Sequence, residues 1–203
     1  MKKTALLVAL SALGIFAGNA LAQESPWQVR VRAAYLKPAD KSDPVGGVGA
    51  SDRLHVNAKT IPDVDISYFF TPNWATELVL TYPQKQDVSL DGKKIGSFKH
   101  LPPTLTMQYH FLPQAQFSPY LGAGLNYTRI SSVDLLDGTG RLNKDSWGLA
   151  LQAGVDYKLD KNWSLNLDVK KLQIHSDVYA GGQKISLVKI DPWLIGMGVG
   201  YRF

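Results

Sequence analysis

The 203-residue sequence contains no cysteine, which removes disulfides and thiolate metal sites from consideration. Beyond residue 22 it has no apolar run approaching the roughly 18 to 20 residues that a spanning helix needs, although 45% of the chain is hydrophobic. It also lacks a strong charge of either sign: setting aside Lys2 and Lys3 leaves 22 − 2 = 20 basic residues against 17 acidic, a net charge of +3. So mild and dispersed an excess gives nucleic acid no footprint. His55, His100, His110 and His175 are isolated, without metal-ligand spacing. Gly122 and Gly124 sit in a strand pattern with no helix after it, so a nucleotide loop is not supported. His175-Ser176-Asp177 cannot form a triad, because neighbours in an extended segment point to opposite faces. No catalytic residue, metal or cofactor is assigned, and the chain is expected not to be an enzyme.

What is present begins with a leader. Met1-Lys2-Lys3, an apolar run from Ala5 to Ala17 and the small-residue site Ala20-Leu21-Ala22 form the three-part pattern of a secretory signal peptide. Residues 1–22 are read as removed, with cleavage before Gln23, and residues 23–203 as one domain of about 180 residues.

The end of the chain sets the fold class. In Ile190 to Phe203 (IDPWLIGMGVGYRF), Trp193, Ile195, Met197, Val199, Tyr201 and Phe203 alternate with Leu194, Gly196, Gly198, Gly200 and Arg202. Such period-two alternation marks a strand. A greasy face ending in an outward Phe suits a strand that meets lipid and closes a barrel. The same alternation recurs at 27–36, 62–70, 74–82, 101–111, 117–130, 146–159 and 163–174, which makes eight strands. The intervening segments alternate between short turns (71–73, 112–116, 160–162) and long polar loops (37–60, 83–100, 131–145, 175–189). That asymmetry predicts an all-β, eight-stranded antiparallel transmembrane barrel, with periplasmic turns, four extracellular loops and a bacterial outer-membrane location. Outward aromatics test the geometry. Trp27 and Tyr35, Trp74 and Tyr82, and Trp193 and Tyr201 are eight residues apart, a rise of roughly 20 Å in a tilted strand, close to the height of the lipid-facing band. A soluble lipocalin-like barrel would turn its apolar face inward instead.

Four segments, LPPTLTMQYHF (101–111), SPYLGAGLNYT (118–128), DSWGLALQAGVDY (145–157) and the C-terminal stretch, resemble the OmpW family of small outer-membrane barrels of Gram-negative bacteria. The resemblance covers the whole chain after the leader. It implies an eight-stranded barrel and passage of small hydrophobic molecules across the outer membrane.

The inward residues, sorted by height, supply a separate line of argument. Arg30, Arg32, Glu77, His110, Asp156, Lys158, Asp168, Lys170 and Arg202 are expected to form a polar, mutually paired lumen floor. Leu36, Val79, Leu172, Ile174 and Leu194 are expected to line an apolar funnel at the extracellular mouth. Eight strands enclose an interior filled by their own side chains, which argues against a continuous water pore. A molecule entering the funnel would need a sideways exit, and Pro102 with Pro103, lacking ladder N–H groups, mark the expected lateral opening. Upper positions covered by folded loops would form a small core instead. Phe203 is read as the assembly signal. The expected partners are outer-membrane lipid and lipopolysaccharide, the assembly machinery and a small hydrophobic ligand, with no nucleic acid and a monomeric barrel. The competing expectation is a non-conducting surface barrel that acts through long loops without a core of their own, in adhesion, stress response or phage and bacteriocin reception.

Overall fold

A computed structural model describes residues 25–136 and 138–203; the expected leader, 1–22, lies outside the described residues. The elements in chain order are β1 (Trp27–Lys37), β2 (Lys41–Ser42), β3 (Leu54–Val56), β4 (Lys59–Phe69), β5 (Trp74–Leu80), β6 (Gln84–Leu90), β7 (Lys93–Leu101), β8 (Thr104–His110), β9 (Phe117–Leu135), β10 (Gly140–Leu142), β11 (Asp145–Lys158), β12 (Trp163–Leu172), β13 (His175–Ala180), β14 (Gln183–Lys189) and β15 (Trp193–Arg202). Eight of them close an antiparallel barrel in the order β1-β4-β5-β8-β9-β11-β12-β15, and β15 pairs back onto β1 from Gln28↔Arg202 to Lys37↔Trp193. Closure pairs the first strand of the barrel with the last, so neither is left as a sheet edge in the hydrocarbon, where an unpaired backbone group is costly.

The short turns are held by their own side chains. Thr71 Oγ1 accepts from the backbone N–H of Trp74 at 3.0 Å, and Asp160 Oδ1 accepts from those of Asn162 and Trp163 at 2.8 and 2.7 Å, the local bonding that favours Thr and Asp in turns. On the outer wall the aromatic residues at the turn end touch edge to face. Trp27 meets Tyr68 at 4.8 Å, Trp163 meets Tyr201 at 4.9 Å, and Tyr201 meets Phe203 at 5.1 Å. Such pairs add to plain area burial. Along β15 the glycines admit large neighbours: a Cβ on Gly198 would lie 2.0 Å from the carbonyl oxygen of Val31 and 2.8 Å from Cγ of Arg32.

The loops depart from expectation. Instead of coreless polar segments, the extracellular connections are largely strands: β6 with β7, β13 with β14, the upper end of β9 with β7 and β10, and β3 against β6. They cover the mouth as a dome with a core of its own, in which Leu54, Val56, Val88, Phe98, Val178 and Val188 are buried. The physical reason is the open rim below. Apolar side chains at the top of the barrel leave water only if the connections fold over them.

Candidate functional site

Three tiers occupy the inside of the molecule. The lowest is a charged plug. Arg30 Nη1 reaches Asp65 at 3.1 Å and Glu77 at 3.3 Å, and its Nη2 reaches Asp156 at 2.8 Å. Arg32 Nη2 lies 2.8 Å from Asp65 and 3.3 Å from Asp63. Lys170 Nζ joins Asp168 at 2.6 Å to Glu77 at 3.1 Å. Neutral groups complete the lattice. Gln152 donates to Glu77 (3.1 Å) and Asp168 (2.6 Å), Gln108 donates to Glu77 (2.9 Å), and the Tyr120 hydroxyl donates to Asp168 (2.9 Å). All of these side chains are buried. A buried charge persists only when paired and hydrogen-bonded, and here three cations meet five carboxylates inside a network that spans the barrel. Tyr120 enters through a gap left by a glycine, since a Cβ on Gly154 would fall 2.4 Å from its ring. Its ring also lies 5.5 Å from the Arg30 guanidinium carbon.

Below the plug, a cavity of about 40 Å³ opens at the periplasmic end, lined in part by Gln28, Phe69, His110, Asp156, Lys158 and Arg202. His110 stacks between Phe69 (5.1 Å) and Tyr120 (4.9 Å), Arg202 lies over the Phe69 ring at 4.1 Å, and Lys158 donates to the carbonyl of Pro113 at 2.6 Å.

Above the plug the lining turns apolar. Ala34, Leu36, Ala150, Leu172, Ile174 and Leu194 of the barrel pack into one buried cluster with the dome residues. The dome retains a cavity of about 20 Å³, walled by Leu54, Val56, Val88, Ile95, Phe98 and Val188 among others, a space of about one water-sized probe.

Between plug and dome the wall is interrupted. β8 pairs with β5 as far as Val79↔Thr104, and pairing resumes between β6 and β7 at Gln84↔His100, so residues 80–83 face residues 101–103 out of register. β4 pairs with β5 only as far as Val64↔Leu80, while its other flank continues on β1 to Leu36↔Lys59. Among the described residues no strand pairs with the free flank of residues 59–63, and at its foot Thr81 Oγ1 donates to the carbonyl of Pro62 at 3.1 Å. Two ladder interruptions thus meet at residues 80–83. On the opposite flank of the prolines the wall is kept. Tyr127 N–H donates to the Pro103 carbonyl at 3.1 Å, and Asn126 Nδ2 donates to the carbonyls of Pro102 and Pro103 at 3.4 and 3.2 Å.

Comparison with known proteins places this architecture. The model of the OmpW family matches residues 23–203. The chain belongs to the OmpW family. It is 45% identical to an uncharacterised outer-membrane protein of Sinorhizobium fredii over 88% of this chain and 80% of that one. It is 36% identical to outer membrane protein W of Vibrio cholerae over the whole of both chains. The crystal structure of the outer membrane protein OprG from Pseudomonas aeruginosa superposes with a TM-score of 0.78 at 28% identity, covering 89% of this chain and 97% of that one. A Pseudomonas aeruginosa protein named for a dibenzothiophene metabolism operon is 28% identical over 90% of both chains. This OmpW-family chain is therefore an outer-membrane β-barrel.

The structure sets the sequence-derived residues of this OmpW-family barrel as follows. Arg30, Arg32, Glu77, Asp156, Asp168 and Lys170 meet in the plug, while His110, Lys158 and Arg202 sit below it at the periplasmic cavity. Leu36, Leu172, Ile174 and Leu194 lie in the apolar cluster, covered by the dome; Val79 is buried beside the wall interruption and stands outside that cluster. Pro102 and Pro103 lie at the interruption, but the break opens toward β5 and β6 and not toward β9. Phe203 follows β15 within the lower aromatic belt. Asp63, Asp65 and Tyr120 were missing from the expected floor. Asp63 and Asp65 stand opposite Arg32 and Arg30 in the β1–β4 register, so the signal was opposite inward charges on successive strands.

Proposed function

We propose that this barrel is an outer-membrane channel for passive uptake of small hydrophobic molecules, which enter through the dome and leave sideways through the barrel wall. One observation carries the reading: an apolar compartment above a charged plug has a weakened boundary at the side, where residues 80–83 interrupt two neighbouring ladders. A greasy molecule gains roughly 25 cal/mol for each Å² of apolar surface it removes from water, so it favours the dome interior and then the bilayer over the ionic floor. The relative named for a dibenzothiophene metabolism operon supports a hydrophobic cargo. The dome is packed nearly full, so passage requires its hairpins to separate, and the dome acts as a lid.

The test is uptake of octane by cells with intact outer membranes, with and without the protein, beside glycine as a hydrophilic control. Faster uptake of octane alone is the expected result. Faster uptake of glycine alone would mean a wet pore and end the proposal. The packed dome also suits a non-conducting surface barrel that works through its extracellular face; acceleration of neither solute, with the phenotype following the dome when it is grafted onto another eight-stranded barrel, would establish that reading instead.

A further inference from the structure

Buried polar atoms in native proteins nearly always have partners, and those without one call for an explanation. Among the described residues, such atoms outside the charged plug gather on three side chains: Oε1 of Gln84, both amide atoms of Gln86 and both ring nitrogens of His100. Gln84 and Gln86 are fully buried and His100 is 1% exposed. Gln84 and His100 are directly opposed in the β6–β7 register, Gln86 stands one inward step above, opposite Phe98, and the Phe98 ring lies 5.9 Å from His100. The three form a polar collar. Its lower edge is the first pair after the wall interruption at residues 80–83, and its upper edge is the apolar dome. A molecule moving from dome to bilayer by the proposed route crosses this collar.

We infer that Gln84, Gln86 and His100 form a head-group subsite that selects small neutral amphiphiles carrying a hydroxyl, in preference to pure hydrocarbons of the same length; the inference rests on the channel reading above. A primary amide offers both donors and an acceptor, and a neutral imidazole offers one of each. A hydroxyl both donates and accepts, so it satisfies such a mixed set, whereas a hydrocarbon leaves every one of these atoms unpaired at a cost. The ring is neutral at ordinary pH, because burial, reinforced by repulsion from Lys59, holds His100 down to about 4. The apolar wall immediately above, with Phe98 and Val88 buried in it, takes the alkyl chain.

Two measurements test the subsite. In the first, the protein in phospholipid nanodiscs receives 1-octanol or octane while the side-chain resonances of Gln84, Gln86 and His100 are followed. The expected result is perturbation of all three by 1-octanol and of none by octane, at matched bilayer loading. Resonances that ignore 1-octanol would reduce the collar to a site for buried water and overturn the inference. In the second, the ratio of 1-octanol to octane uptake by intact cells, corrected for cells lacking the protein, is compared with that of a Gln86→Leu, His100→Phe variant confirmed as folded by heat-modifiable electrophoresis. The ratio is expected to fall about tenfold, whereas a merely structural role would slow both solutes together and leave it unchanged, which would also overturn the inference. If neither solute enters faster than in cells lacking the protein, the channel reading fails, and the nanodisc spectra still decide the subsite.

Discussion

The plug and the dome are both closed and buried, yet they are closed by opposite means. In the plug, side chains from seven different strands meet through directional, charge-assisted bonds, with Arg30 alone engaging Asp65, Glu77 and Asp156. At the dome, the barrel residues Leu36, Leu172 and Leu194 share one cluster with Val88, Phe98 and Val188, through contacts with no preferred direction. Ionic lattices fail abruptly when a member is lost, because the remaining charges stay buried without partners. Apolar clusters yield gradually and can re-form around a guest. One end of the interior is therefore held by bonds of fixed direction and the other by contacts that tolerate rearrangement.

Substitutions can break that contrast, and the largest effect is expected in the plug. Arg30→Met strands Asp65, Glu77 and Asp156 together, and loss of one partner of a buried pair costs about 3–5 kcal/mol. The temperature at which the folded band converts to the unfolded band on electrophoresis should drop markedly, with conductance to small ions appearing in planar bilayers. Beneath the dome, Leu172→Ala removes a barrel side chain that is 2% exposed and packs in the same cluster as the dome residues, at a cost of about 2–4 kcal/mol. Hydrogen exchange should quicken in β6, β7, β13 and β14 and leave the barrel strands unchanged, and octane uptake should rise.

Smaller effects sharpen the comparison at the boundary between the tiers. Replacing Pro102 and Pro103 together by Val returns two N–H groups to the wall, one at 103 on the flank of Tyr127 and one at 102 on the opposite flank, and a net gain of about 1 kcal/mol from the bond on the open flank would tighten residues 80–83 and 101–103 against each other. Octane uptake is expected to slow while the electrophoretic transition rises slightly. The smallest effect concerns pH. His100 is held down to about 4 from its ordinary 6.5, so between those values the unfolded dome binds a proton that the folded dome refuses. The dome's stability is therefore full above about 6.5 and declines as pH falls toward 4. An NMR titration should place the His100 ring midpoint near 4, and hydrogen exchange in β6 and β7 should speed over the same interval.

The barrel was legible in the sequence because lipid imposes strict alternation: Leu149, Leu151 and Ala153 face out while Ala150 and Gln152 face in, and each strand repeats the test. The plug was legible in part, since inward charges were readable one strand at a time, although their partners depend on register. The dome was not. In β6 (QKQDVSL) the inward set is Gln84, Gln86 and Val88 against Lys85 and Asp87, so polar residues occupy both faces at its lower end and the period-two signal disappears. The polar collar and the missed strand have the same cause. The proline pair was read as a break in the wall, but sequence could not tell which neighbour it parts from, because Asn126 satisfies the carbonyls on one flank alone.

The two plug arginines stand on β1, the first strand of the barrel, while the carboxylates they engage lie on β4, β5, β11 and β12. Asp156 is 126 residues away from Arg30 along the chain, and β1 comes round to that side of the barrel only when β15 locks against it. Until that seam forms, five acids and three bases have no complete set of partners, and each resists transfer into hydrocarbon. Ionic satisfaction of the interior thus depends on the seam between β1 and β15, and a chain whose ends are unpaired holds buried charges without their full complement of partners.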